Sequence, residues 1–246
     1  MSHERKSPSP ERVGVLQWTA RVGAVTAEAL AHRQGISVAS ARARLRAAEG
    51  ARLLVRSRPL AGQPALYTVT RAGLRASGLH GLDRCRVSAS NAQHAIACAR
   101  AAAALERCYP DHRVLGEREL RAAERQMGAP LASARMDFGI HGGQAFHRPD
   151  LVLWPRAVDR GLPVPVEVEL TVKAPQRLAS ICRAWARCRY VAGVLYLAAP
   201  EVEPALRRAI EKTDASERVV VVGLDALPGA RGPADPSIAR TVPSGA

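Results

Sequence analysis

The chain has 246 residues, 47% of them hydrophobic and 24% charged, with a formal net charge of +14. This suits a soluble protein of one large or two small domains and excludes a fibrous chain, and no apolar run reaches the roughly 18 residues of a membrane helix. The polar, proline-rich start MSHERKSPSPER lacks the apolar stretch of a signal peptide. The odd set Cys85, Cys98, Cys108, Cys182 and Cys188, without a C-x-x-C pair, argues for reduced thiols in a cytoplasmic protein rather than a disulfide framework or zinc site.

Residues 1–10 read as a disordered N-terminus and residues 11–80 as a first domain. A helix is expected from Glu11 to Ala20, with Val13, Leu16 and Ala20 on one face. Thr26 is a candidate N-cap for a second helix, Ala27 to Arg33, which Gly35 ends. Ser37 caps a third, Val38 to Glu49, closed by Gly50, with Val38, Ala41, Leu45 and Ala48 as its apolar face. Ser40, Arg42, Arg44 and Arg46 lie mostly away from that face. Leu53–Arg58, a turn over residues 59–64, and Ala65–Val69 form a hairpin that carries Arg56 and Arg58. Thr70 then begins a closing helix.

Helix, turn, helix and hairpin in this order describe a winged helix, whose third helix enters the DNA major groove. Residues 1–80 carry 13 Arg and Lys against 4 acids, a net +9, whereas residues 81–246 carry 23 against 18, a net +5. Such a concentration is the electrostatic footprint of a nucleic-acid partner. The candidate DNA-binding residues are Ser40, Arg42, Arg44, Arg46, Arg56 and Arg58. The half resembles winged-helix regulators and the N-terminal part of replication-relaxation proteins of plasmids and mobile elements. A winged helix used as a protein-binding platform is the alternative.

A linker is expected from Gly78 to Arg86, followed by a second domain over residues 88–227. It opens with a helix over residues 88–108, with Ala95, Cys98, Ala99, Ala102 and Leu105 in a stripe. The text Gly116-Glu117-Arg118-Glu119-Leu120-Arg121 is similar to a run found before the Pro-Asp motif in replication-relaxation-like proteins. Residues 122–147 read as a loop with a short strand around Met136 to Ile140. Asp150 opens an apolar strand, and a turn at Asp159-Arg160-Gly161 leads to a second apolar run, Val164 to Val172. Side chains alternate along a strand, so Glu167, Glu169, Thr171 and Lys173 would share one face. A helix from Pro175 to Arg189, a strand from Tyr190 to Ala199, a helix from Glu201 to Lys212 and a strand from Arg218 to Leu224 complete the domain. Residues 228–246, rich in Pro, Gly and Ser, read as a disordered tail. The expected fold class is α/β, α+β overall: a winged helix followed by a mixed α/β domain.

Pro149-Asp150, a spacer, and an acidic residue at Glu167 between apolar neighbours resemble the PD-(D/E)xK restriction-endonuclease-like nucleases. The resemblance implies Mg²⁺ or Mn²⁺ held by Asp150 and Glu167, with Glu169 as a further ligand or water base. Glu169 stands where the family has its lysine, and Lys173 would supply the cation from a displaced position. The implied catalytic set is Asp150, Glu167, Glu169 and Lys173. Glu117 or Glu119 could add an acid, with a surface charge as the blander reading, and His147 in its glycine-rich loop reads as incidental. Three functions stay open: a DNA-binding factor of a plasmid or mobile element with an inactive or weak nuclease-like domain, a Mg²⁺-dependent endonuclease, or a protein–protein adaptor. DNA is the expected partner and homodimerisation is open; no membrane partner or small-molecule cofactor is expected.

Overall fold

The computed structural model describes residues 9–137, 145–157 and 161–227. The N-terminal stretch to residue 8, segment 138–144 with the end of the expected 136–140 strand, residues 158–160 with the first two positions of the expected 159–161 turn, and the 228–246 tail lie outside them. The chain divides into two compact units, residues 1–100 and 101–246. The fold is mixed, with helices and several sheets, as the α+β expectation requires.

The first unit begins with α1 (Pro10–Val22), the short strand β1 (Ala24–Val25), α2 (Ala27–Gln34) and α3 (Val38–Gly50). The Thr26 hydroxyl accepts from the Ala29 N–H, and the Ser37 hydroxyl accepts from the Ser40 N–H, which starts α2 and α3 at the expected caps. Gly35 ends α2 at φ 64°, a left-handed conformation that a side chain would strain, and so makes the tight turn into α3. Ala41, Leu45 and Ala48 are buried as expected, but Val38 is exposed because it sits in the first turn of α3, above the core.

A hairpin follows, β2 (Leu54–Ser57) and β3 (Leu66–Val69), and β1 pairs with the other edge of β3 to give an antiparallel sheet of order β1-β3-β2. Thr70 caps α4 (Arg71–Ala76) through the Gly73 N–H and donates its hydroxyl to Arg52 and Leu53 carbonyls. A Cβ on Gly73 would lie 2.2 Å from the Leu53 carbonyl oxygen, so only glycine allows α4 this close to the hairpin. The helix α5 (Ala89–Cys108) crosses the division between units. The division therefore comes later than the expected 78–86 linker. The cause is packing: Ala92 and Ile96 of α5 share a buried cluster with Ala24 and Leu66.

The second unit is built on a five-stranded sheet of order β10-β9-β8-β7-β4. Its strands are β4 (His112–Gly116), β7 (Leu151–Pro155), β8 (Val164–Glu169), β9 (Val194–Ala198) and β10 (Val219–Gly223). The β8-β9-β10 part is parallel, and β7 runs antiparallel to both β4 and β8. A separate ribbon pairs β5 (Ala134–Met136) with β6 (Ala145–His147). Helix α6 (Glu117–Met127) follows β4, α7 (Pro175–Ala186) follows β8, and α8 (Glu203–Lys212) follows β9. Trp185, Leu178 and Ile181 of α7, Tyr196 of β9, and Leu206 of α8 share one core.

Every residue of β8 is buried, as in strands covered on both faces. The alternation of β8 therefore does not mark a solvated face: Pro165, Glu167 and Glu169 are buried like the residues between them. The strand also stops at Glu169, not Val172. Its last rung is the Glu169 carbonyl accepting from the Ala199 N–H, and Pro175 then starts α7. Thr171, Val172 and Lys173 thus lie off the strand, and Val172 is exposed at 55%.

Candidate functional site

In the first unit α3 and the β2–β3 hairpin flank a groove of about 620 Å³. Arg42 and Arg46 come from α3, Arg56 from β2, and Arg58 from the residue after it. Arg42 sits 3.7 Å from the Glu28 carboxylate, with both side chains half exposed. No described carboxylate lies within ion-pair distance of Arg46, Arg56 or Arg58. Ser40 is exposed on α3, its hydroxyl 2.9 Å from that of Ser37. Arg44 behaves differently: it pairs with Glu11 at 2.6 Å and donates to the Gln34 side chain at 2.8 Å. It staples α1 and α2 to α3 and does not line the groove, so α3 divides its arginines between structure and surface.

In the second unit the Asp150–Glu167 pair follows from strand register. Leu151 is opposite Val166 in the last β7–β8 pair, and extending that register by one residue brings Asp150 alongside Glu167. The Asp150 carboxylate accepts from the Val168 N–H at 2.8 Å, and its carbonyl accepts from the Glu117 N–H at 3.0 Å. Arg148, two residues before, donates to the buried Glu124 carboxylate of α6, whose other oxygen accepts from the Leu131 and Ala132 N–H groups. These bonds fix the Pro149-Asp150 corner between α6, β7 and β8.

The carboxylate of Glu167, buried to 4% exposure, accepts from the Trp185 indole N–H at 3.2 Å and lies 2.7 Å from His147 Nε2. The His147 ring meets Trp185 edge to face, with centroids 5.9 Å apart. Glu169, equally buried, is bonded by the Lys173 ammonium. Burial lowers the Lys173 pKa from its usual value; the charges of Glu167 and Asp150 oppose that shift, and Arg177 adds to it. Tyr196, opposite Glu167 on β9, has its hydroxyl pushed well above its usual pKa, first by burial and then by the charge of Glu167. Asp150, Glu167, Glu169 and Lys173 therefore belong to one electrostatic neighbourhood, although Lys173 reaches it from the loop after β8 rather than from the strand.

Glu117 and Glu119 are engaged elsewhere, with Arg121 and Arg113. His147 is no incidental loop residue: it stands on β6 and holds Glu167. Trp185 carries no sequence signal beyond an apolar helix position. Three carboxylates suit a hard divalent cation such as Mg²⁺ or Mn²⁺ in donor chemistry, but among the described residues Asp150, Glu167 and Glu169 do not bring their oxygens within 4.8 Å of one another. Each carboxylate already has a protein partner, and Lys173 balances one of the charges.

Comparison with known proteins finds no match among family models, curated proteins or solved structures.

Proposed function

We propose that the protein binds duplex DNA through the groove between α3 and the β2–β3 hairpin. One observation carries this reading: Arg46, Arg56 and Arg58 line the groove without a described carboxylate partner. A guanidinium unmatched by the protein's own acids is suited to phosphate, which it grips through a planar fork of N–H donors. On this reading α3 would serve as the recognition helix in the major groove and the hairpin would contact the flanking backbone. The resemblance to replication-relaxation proteins supports a role in DNA transactions of a plasmid or mobile element. The test is fluorescence anisotropy of the full chain with a labelled random-sequence duplex. Replacing Arg46, Arg56 and Arg58 by Ala should weaken binding, while Arg44→Ala should leave it unchanged. Loss with Arg44→Ala but not with the triple variant would overturn the groove as the interface, and no affinity for any DNA would favour the adaptor reading.

A second reading, metal-assisted phosphodiester hydrolysis, is favoured by the Asp150 carboxylate bonding the Val168 N–H between Glu167 and Glu169 and by Lys173 bonding Glu169. On this reading Asp150, Glu167 and Glu169 would have to draw closer than they stand here to hold Mg²⁺ or Mn²⁺, which would supply Lewis acidity toward a phosphodiester. His147 and Trp185 would orient Glu167, and Lys173 would balance negative charge on the reacting phosphate. Incubating the protein with supercoiled DNA in Mg²⁺, Mn²⁺ or EDTA tests it. Metal-dependent nicking that Asp150→Ala abolishes supports hydrolysis, whereas no nicking with either metal makes the cluster a structural one.

A further inference from the structure

A second groove, of about 490 Å³, runs between α7 and α8 in the second unit. Its floor is Leu178, Ala179, Ala205 and Ala209, and its walls carry Lys173, Arg183, Arg208 and Lys212 with no carboxylate among them. Lys173 is already bonded to Glu169. Arg183, Arg208 and Lys212 are exposed, and none has a described ion-pair partner. Lys212, in the last turn of α8, has a local reason to be basic, since a cation there complements the helix dipole. Arg183, in the last turn of α7, shares that reason, and Arg208 does not. Arg183 and Arg208 line one groove from two helices, and like charges so placed repel unless an anion joins them.

The N-terminus of α7 opens into the same groove at Pro175 and Gln176. Its N-cap is Ala174, which offers no side-chain acceptor to the first turn. Uncapped N–H groups at a helix start form an anion site. Unmatched cations and an uncapped helix start thus converge on one trough. The small alanines of its floor allow close approach of a chain. No aromatic ring lines it, so it is built to grip charge and not to stack bases.

We infer that the α7–α8 groove is a second binding surface for a phosphodiester backbone, separate from the arginine groove of the first unit. It reads charge without sequence. It does not rest on the α3 reading, because its residues and elements all belong to the second unit.

The experiment uses the full chain carrying Arg46→Ala, Arg56→Ala and Arg58→Ala, so that residual binding reports the second surface. Labelled duplex and labelled single strand of equal length are the two probes. The expected result is salt-sensitive residual binding to at least one probe, reduced about tenfold or more by adding Arg183→Ala, Arg208→Ala and Lys212→Ala. The probe that responds identifies which form of nucleic acid the groove takes. Exchanging the same three residues as Arg183→Lys, Arg208→Lys and Lys212→Arg keeps the charge and should keep the binding. Unchanged thermal midpoints would show that these surface substitutions leave the fold intact. The inference is overturned by no residual binding, by residual binding indifferent to the α7–α8 substitutions, or by a groove that captures polyglutamate while ignoring both oligonucleotides. Failure of the α3 reading is a distinct result, namely wild-type binding by the first-unit variant. The α7–α8 substitutions can then be compared in the otherwise wild-type chain.

Discussion

The arginine groove of the first unit and the carboxylate cluster of the second treat charge in opposite ways. Arg46, Arg56 and Arg58 line an open groove without described acidic partners. Glu167 and Glu169 are buried, and each is matched by donors from elsewhere in the fold: Trp185 and His147 for one, Lys173 for the other. Burying a charge is costly unless it is paired and hydrogen-bonded. Matched charges are therefore part of the fold's stability, and unmatched exposed ones are available to a ligand. Substitutions in the cluster should first change stability, and substitutions in the groove should first change binding.

The largest effect is expected at Trp185, which is fully buried and donates to Glu167. Trp185→Ala should lose about 3–5 kcal/mol in urea unfolding, through the cavity and the stranded carboxylate. A loss of under about 1 kcal/mol would mean that the α7 core is not packed as described.

The next effect is a pH dependence beside the cluster. Burial pushes the Cys182 thiol from 9.0 up to about 11, and the charge of Glu167 adds to the shift. The folded chain keeps this proton after the unfolded chain has lost it. The contribution is intact below pH 9 and is lost as pH rises through about 11, amounting to about 2–3 kcal/mol. Tyr196 adds to the same downward slope, and Lys173, whose pKa is lowered, opposes it. Comparing Cys182→Ala with the parent chain isolates the thiol: the variant should unfold with a flatter alkaline slope. Parallel curves would contradict its burial beside Glu167.

Lys173→Met should cost about 1–3 kcal/mol by leaving Glu169 buried without its cation. Adding Glu169→Gln should recover part of that loss, and the double-mutant cycle measures the pair directly. Additive losses would mean that the two residues are not coupled. Arg44→Ala should cost less, under about 1 kcal/mol, because its pairing with Glu11 is partly exposed. It nevertheless sharpens the comparison, since Arg44 is bonded to both α1 and α2 whereas Arg42 has only a looser 3.7 Å pairing with Glu28.

Local chemistry makes much of this architecture legible. Thr26, Ser37 and Thr70 cap the helices that their positions predict, Gly35 makes the turn, and the apolar runs of β7, β9 and β10 form strands. Non-local pairings stay hidden. The Arg44 partners lie on α1 and at the end of α2, so helical periodicity alone groups it with the surface arginines. The His147–Glu167 bond depends on the β5–β6 ribbon, and glycines around residues 139–143 make that region read as loop. Alternation over-extends the strand to Val172, because strand ends are set by neighbouring strands and by Pro175, not by hydrophobicity. Lys173 still meets Glu169, but from a loop that no periodicity describes.

The most direct test of the contrast is the salt dependence of duplex binding by the parent chain and by the Arg46→Ala, Arg56→Ala, Arg58→Ala variant. The logarithm of affinity should fall linearly with the logarithm of salt concentration. The variant should show a slope shallower by about one unit for each phosphate it no longer neutralises, with an unchanged thermal midpoint. An identical slope and affinity in the variant would contradict the account, because the groove's unmatched arginines would then hold no phosphate.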